Sequence, residues 1–596
     1  MREFEVPGSI DLPVEGNLAE IPMMNAIEAP DAVVYSRRDS SGQWKDVTAA
    51  AFWAEVFAVA KGIIASGVQA GDRVALMSRT RYEWTVLDFA IWTAGGVVVP
   101  IYETSSAEQV QWILQDSGAV GVFVETPAHA VTVQQVLASV PDVRHVWVID
   151  DGAVDDLSRS GGDVSDGDVE ERRSGVDADS LASVIYTSGT TGRPKGCELT
   201  HGNFLFVART SVETLNQLFE EDASTLLFLP LAHVFGRVVE LAAAAARLRL
   251  GHVPDSTTLV EDLGSFQPTF LFSVPRVFEK VYNSASQKAH AGGRGPIFDR
   301  AVQVAIDYSR AQDEGGPSLV TRLQYLLFDR LVYGKLRAAL GGKVKYALSG
   351  GAALGERLGH FYRGIGLIVL EGYGLTETSA PSTCNTPDDV KIGTVGRPIQ
   401  GTAAKIAEDG EILLKGPHIF RGYRHNDTAT AEVIDADGWF HSGDIGEIDD
   451  DGFVRITGRK KDILVTAGGK NVAPAVLEDR IRAHHLISQC MVVGDGRPYI
   501  AALITLDAEA LPAWAEQHGK QNASPAELGE DPVMQAEVQA VVDEANSAVS
   551  RAESIRRFMI VGDDWTEDSG HLTPSMKLKR VMVMKDHAVE IEQLYA

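Results

Sequence analysis

The stretch Tyr186–Gly196 reads YTSGTTGRPKG. It gathers serine and threonine hydroxyls, three glycines and one lysine into eleven residues. The apolar run Leu181–Ile185 before it is expected as a strand, and Asn203 to Phe219 after it as a helix. A glycine- and hydroxyl-rich loop between strand and helix can collect backbone N–H groups and hydroxyls around phosphate oxygens, and Lys195 adds a point charge. It is not a Walker A loop: Gly189 is not followed at the right spacing by Gly-Lys, and Gly196, not Ser or Thr, follows Lys195. Composition alone also suits a plain surface turn.

The 596 residues exceed what one core serves, so two or more domains are expected. Lys and Arg number 54 against 82 Asp and Glu, a net charge of −28. That excess argues against nucleic acid as a partner and against broad electrostatic docking on anionic lipid. Cys197, Cys384 and Cys490 lie far apart, with no metal spacing and no disulfide framework, which fits a reducing, cytoplasmic setting. MREFEVPGSIDLPVEG at the N-terminus has no apolar run, so no signal peptide is expected. Phe89 to Tyr102 is the longest uncharged apolar run and is too short to span a bilayer. Peripheral contact at the inner membrane face stays open, as does the oligomeric state.

Strands at Arg73–Ser78, Val97–Ile101 and Gly121–Val124 alternate with helices at Tyr82–Thr93 and Ser106–Asp116. This predicts βαβ units and an α/β fold with parallel sheets covered on both faces. Asp150 to Asp179 is rich in Asp, Ser and Gly, and a solvated, mobile acidic loop is expected there. Ser284 to Ala339 reads as largely helical, with breaks at Gly292–Gly295 and Gly315–Pro317. From about Ile392, Asp409-Gly410, Asp437-Gly438 and Asp451-Gly452 punctuate short strands, the pattern of a small antiparallel, barrel-like subdomain. Beyond Arg459 the texture becomes α+β. A boundary near 459 divides the chain into residues 1–458 and 459–596.

Three segments sit at expected strand ends, where open α/β sheets bind ligands: 186–196, 349–352 and 371–377. The last, EGYGLTE, lacks the third glycine of a dinucleotide fingerprint, because Glu377 stands there. It offers an aromatic face at Tyr373, a hydroxyl at Thr376 and a carboxylate at Glu377, groups suited to a purine, a phosphate and a metal ion. Taken singly, Tyr373 is equally a core residue, and His233 in PLAHVFGR is more often structural.

The ordered set YTSGTTGRPKG, PLAHVFGR, SGGAAL, YGLTET, GWFHSGDIG, GRKKDILVTAGGKNV and LTPSMKLKR resembles the motifs of the adenylate-forming superfamily over roughly residues 30 to 585. VPRVFEKVYN and NDTATAEVIDADGWFHSGDIGE look most like bacterial long-chain fatty-acyl-CoA synthetases. The resemblance implies adenylation of a fatty acid by ATP with Mg²⁺, then thioester formation with coenzyme A. It makes Thr187, Ser188, Gly189, Thr190, Thr191, Gly192 and Lys195 the phosphate loop. Glu377 becomes the Mg²⁺ ligand and Thr376 an α-phosphate contact. Tyr373 stacks on adenine in a pocket lined by Gly350, Gly351 and Ala352. Asp444 and Arg459 hold the ribose, and Lys577 is the catalytic lysine. Lys461 falls at the hinge of a mobile C-terminal domain, and Gly468, Gly469 and Lys470 belong to the segment that enters for the second step. His233 lies at the gate between nucleotide and acyl sites. Many relatives carry Ser-Gly before the lysine, where this chain has Ser575-Met576. An acyl-adenylate ligase serving a carrier protein in trans is the alternative. A non-catalytic relative should have lost Lys195, Glu377 or Lys577, and all three are present. Neither GxSxG nor HExxH occurs, which disfavours hydrolase chemistry.

Overall fold

The computed structural model describes the chain except Met1, Pro13, residues 188–192, Glu220, Glu221, Ser256, Asp568, Pro574 and Ser575. Apolar strands with intervening amphipathic helices bury both faces of a sheet, so they pair in parallel. Arg73–Met77 lies between Val97–Ile101 and Ala119–Val124, parallel to both. Leu181–Thr187 joins Val97–Ile101 in parallel. A second parallel set runs Phe270–Ser273, Tyr346–Ser349 and Ile368–Leu375. Tyr82–Thr93, between two strands of the first sheet, is buried almost throughout.

Leu181–Thr187 does not feed a helix directly. It pairs antiparallel with Lys195–Thr200, Thr187 opposite Lys195, and the helix His201–Thr214 starts only after that second strand. Ser188, Gly189, Thr190, Thr191 and Gly192 lie outside the described residues. Gly-Cys-Glu-Leu-Thr at Gly196–Thr200 was hidden as a strand by its mixed polarity, which suits a sheet position next to an edge strand.

The acidic stretch is also corrected. Ala153–Ser160 and Asp166–Ser174 are helices. Ser165 and Asp168 form a reciprocal cap at the start of the second. Acid sits in both first turns and arginine in both last turns, the arrangement the helix dipole favours. Few apolar residues suffice: Val154, Leu157 and Val169 are buried in the main core. The helix Ala49–Ala65 approaches so closely that a Cβ at Gly62 would lie 2.1 Å from the Leu157 carbonyl oxygen.

The antiparallel sheet runs Glu3–Glu5, Ala403–Ile406, Glu411–Lys415, Phe440–Ile448, Val454–Arg459. Beyond it, Ile487–Val493, Ile500–Leu506 and Ile555–Val561 make a three-stranded sheet with its own apolar core. The helix Pro532–Asn546 covers it, buries Met534, Val538, Val541 and Ala545, and starts where the Asp531 side chain accepts from Val533 N–H. Arg237 of PLAHVFGR is wholly buried and ion-paired with Asp88 at 2.9 Å, a core contact between two helices. Among the described residues no helix is long and apolar enough to cross a membrane.

Candidate active site

The EGYGLTE segment is not a loop following a strand; the strand Ile368–Leu375 runs through it and turns back at Thr376–Thr378 into Ala380–Cys384. A bulge between Tyr373 and Gly374 and positive φ at Ser379 and Ala380 fold this hairpin tightly. A Cβ on Gly374 would meet the Ala380 carbonyl oxygen at 1.6 Å. That glycine therefore permits the backbone approach that sets Thr376 and Glu377 in place. Gly374→Ala is expected to destabilise the protein by about 3 kcal/mol or more. Calorimetry checks it: an unchanged melting temperature would mean the hairpin relaxes freely.

Glu377 is fixed twice by the Phe420–Tyr423 segment. Phe420 N–H donates to its carbonyl oxygen at 2.8 Å, and the Tyr423 hydroxyl donates to Oε1 at 2.7 Å. The Lys195 ammonium lies over the Tyr423 ring, 4.7 Å from its centroid. Lysine, ring and carboxylate thus form one cluster. Sequence reasoning missed Tyr423, because nothing in Arg421–Asn426 marks it locally.

Asp444 and Arg459 are direct cross-strand partners in the antiparallel sheet, so register alone brings them together. Arg459 Nε donates to Asp444 Oδ1 at 2.8 Å, and the Tyr373 hydroxyl donates to Oδ2 at 2.6 Å. Burial works against the Arg459 charge, yet the neighbouring Asp444 carboxylate raises its pKa overall. Burial, with Asp444 beside it, holds the Tyr373 phenol far above its ordinary value.

His233 caps the helix Val234–Ala245, its Nδ1 accepting from Phe235 N–H at 3.2 Å. The imidazole proton therefore sits on Nε2. Burial, then the positive charge of Lys577, lowers its pKa to about 4. Glu371 was also missed: buried at the first position of EGYGLTE, it accepts from Leu354 N–H at 3.0 Å, and burial lifts its pKa to about 7.

Lys577 comes from the far end of the chain. Thr573 and Lys577 are tied by two hydrogen bonds, Thr573 N–H to the Lys577 carbonyl at 2.8 Å and Lys577 N–H to Thr573 Oγ1 at 3.0 Å. Its ammonium reaches into a cleft of about 1870 Å³. Enclosure by protein, then Arg459, lowers its pKa, while Asp444 and Glu377 oppose the shift. Thr187, Lys195, His233, Gly350, Gly351, Ala352, Tyr373, Thr376, Glu377, Asp444, Arg459, Lys461 and Lys577 all line this cleft. Gly468, Gly469 and Lys470 do not: they are exposed between the strands Leu464–Val465 and Asn471–Val472, and Lys470 pairs with Glu553 at 3.3 Å.

Lys195 and Lys577, 382 positions apart in the chain, thus line one cleft with Glu377, Asp444 and Arg459. Residues 24–424 match the family model described as AMP-binding enzyme, and residues 461–596 match the AMP-binding enzyme C-terminal domain. The chain belongs to the AMP-binding enzyme family. It is 50% identical over 599 residues, covering 100% of both chains, to the long-chain-fatty-acid–CoA ligase FadD15 of Mycobacterium tuberculosis. It is 30% identical over 572 residues, 90% of this chain and 80% of the relative, to the peroxisomal long chain acyl-CoA synthetase 7 of Arabidopsis thaliana. Among solved structures, the A domain of a Segniliparus rugosus carboxylic acid reductase, in complex with AMP and a co-purified carboxylic acid, superposes with a TM-score of 0.74 at 21% identity. It covers 99% of this chain and 96% of that one. ATP-bound MatB from Rhodopseudomonas palustris gives 0.69 at 23% identity, covering 96% and 99%. The two structures establish the shared fold.

Proposed function

We propose that this enzyme activates a long-chain fatty acid in two steps. A carboxylate oxygen attacks the α-phosphorus of ATP, the bond to the β-phosphate oxygen breaks, and acyl-AMP and pyrophosphate form. The sulfur of coenzyme A then attacks the acyl carbon, and AMP leaves. The observation that carries this is Lys577 standing in one cleft with Glu377, Asp444 and Arg459. Full-length 50% identity to a long-chain-fatty-acid–CoA ligase supports the choice of acid and thiol.

Both reactants of the first step are anionic, so positive charge has to be fixed before they meet. Lys195 faces the leaving phosphates beside Thr187, Ser188, Gly189, Thr190, Thr191 and Gly192. Lys577 serves the carboxylate and α-phosphate. Asp444 and Arg459 hold the ribose, Tyr373 with Gly350, Gly351 and Ala352 the adenine, and Thr376 the α-phosphate. His233, neutral with its proton on Nε2, offers a donor at the junction with the acyl site. Among the described residues no three His, Cys, Asp or Glu side chains gather as a metal cage. A single carboxylate suits Mg²⁺, which takes much of its coordination from substrate phosphates and water. Glu377 would hold it, and the ion would neutralise phosphate charge. Residues 1–458 and 459–596 act as separate units joined at Lys461, and Gly468, Gly469 and Lys470 enter during the second step.

AMP release measured with CoA across fatty acids of increasing length tests reaction class and substrate together. Thioester formed only on an added carrier protein would replace CoA as the acceptor. A pH profile gives a second check. Lys577 has a lowered pKa and must be charged for adenylation, so activity is present below that pKa and is lost as pH rises through it. The alkaline limb of kcat/KM for ATP, followed by pyrophosphate release, is expected below the ordinary lysine value of about 10.4. A limb at or above that value would remove Lys577 from the step.

A further inference from the structure

The helix Leu319–Phe328 wastes its outer face if folding is its only purpose. Leu319, Val320, Leu323, Leu326 and Leu327 are 56–78% exposed, and Leu331 in the next turn is 49% exposed. At the α-helical angular step the five helical positions fall within an arc of about 120°. The opposite face already anchors the helix. Phe328 is buried, Tyr325 stacks on Tyr308 at 4.1 Å, and Gln324 accepts from Arg300 at 3.2 Å. A contiguous apolar face of this kind marks an interaction surface.

Its charge says which kind. Arg322, Arg330 and Lys335 are exposed on or beside the stripe, and none forms an ion pair with a described residue. Of the acids near it in sequence, Asp329 is neutralised by Arg337 at 2.7 Å and Asp313 by Arg363, which leaves exposed Glu314 against three cations. The surface is thus locally cationic on a chain of net charge −28. An isologous contact between two copies would bring this cationic face against itself. Leucines among unpaired arginines instead suit an interface with acyl chains below and anionic headgroups around. The face is also one helix away from the cleft. Gly295–Asp313 carries Tyr308, which stacks on Tyr325, and carries Gln303, Ile306 and Arg310, which line the cleft.

We propose that the Leu319–Leu331 face docks on a bilayer surface bearing anionic headgroups, setting the acyl-accepting cleft beside the lipid phase. The choice of bilayer rests in part on the fatty-acid reading above, but docking is measured without substrate or turnover, so either can fail alone. The test is flotation of the full chain with phosphatidylcholine vesicles and with vesicles also containing phosphatidylglycerol. The wild type is expected to float with the anionic vesicles and to be released by salt. The combined variant L323E, L326E and L327E should lose at least about tenfold in partitioning. R322E with R330E should lose the preference for anionic vesicles. Both variants should keep wild-type activity on a short, water-soluble acid, which reports an intact fold. Flotation of the leucine variant at the wild-type level, or no flotation of the wild type, overturns the proposal. So does a wild-type dimer in light scattering that the leucine variant converts to monomer without any vesicle binding, since the face then belongs to a second copy.

Discussion

Lys577→Ala is expected to slow fatty-acid adenylation by about 1,000-fold and to leave thioester formation from supplied acyl-AMP within about threefold of wild type. The lysine is held at a cost. Enclosure and Arg459 both disfavour its charge, and Asp444 and Glu377 work for it. A cation kept in such surroundings is poised to gain when a polyanion enters and when negative charge builds at the α-phosphorus. Preorganised charge of this sort acts most strongly where charge develops in the transition state. Alanine removes it without touching the core, because the residue is anchored by backbone bonds to Thr573. The second half-reaction needs no charge at that point and doubles as a folding control. Pyrophosphate release and CoA-dependent AMP release from acyl-AMP, measured separately, decide the matter. Equal loss in both would assign Lys577 a structural role.

The residues of the candidate site were named in the sequence from the resemblance of its ordered motifs, and the structure brings most of those it describes to one cleft. Val97–Ile101 and Tyr82–Thr93 were placed to the residue. Asp444 and Arg459 could be named but not joined. Their contact follows from register across two strands, which a linear pattern does not contain. Tyr423 was missed for the same reason: its partners Glu377 and Lys195 lie far off in sequence. The helices in 153–174 were missed because composition counts residues, whereas three well-placed apolar side chains and one capping box are enough to dock two short helices. Leu319–Phe328 was readable as a helix, but a leucine pattern does not say whether its face meets a core or nothing.

Lys461→Pro is expected to spare adenylation to within about tenfold and to depress thioester formation by about 100-fold or more. The structure holds Lys577 inside the cleft, while Gly468, Gly469 and Lys470 stand outside it, with Lys470 tied to Glu553. If both steps use one acyl carbon, those groups must exchange places, and the backbone between Arg459 and Leu464 has to carry the rotation. Lys460–Asp462 is a single turn of 3₁₀ helix, exposed at Lys461, between the strand holding Arg459 and the next strand. Proline fits the φ of such a turn but fixes it, and it disfavours helical backbone at Lys460. The first restriction blocks the rotation; the second strains the present arrangement only modestly. The expected loss is therefore lopsided, opposite to that of Lys577→Ala. Mixing the two variants adds a further check: acyl-AMP made by Lys461→Pro and released to solution should be turned over by Lys577→Ala, restoring acyl-CoA that neither forms alone. An unchanged second half-reaction in Lys461→Pro would move the pivot to a neighbour, with Asp462 the first to examine.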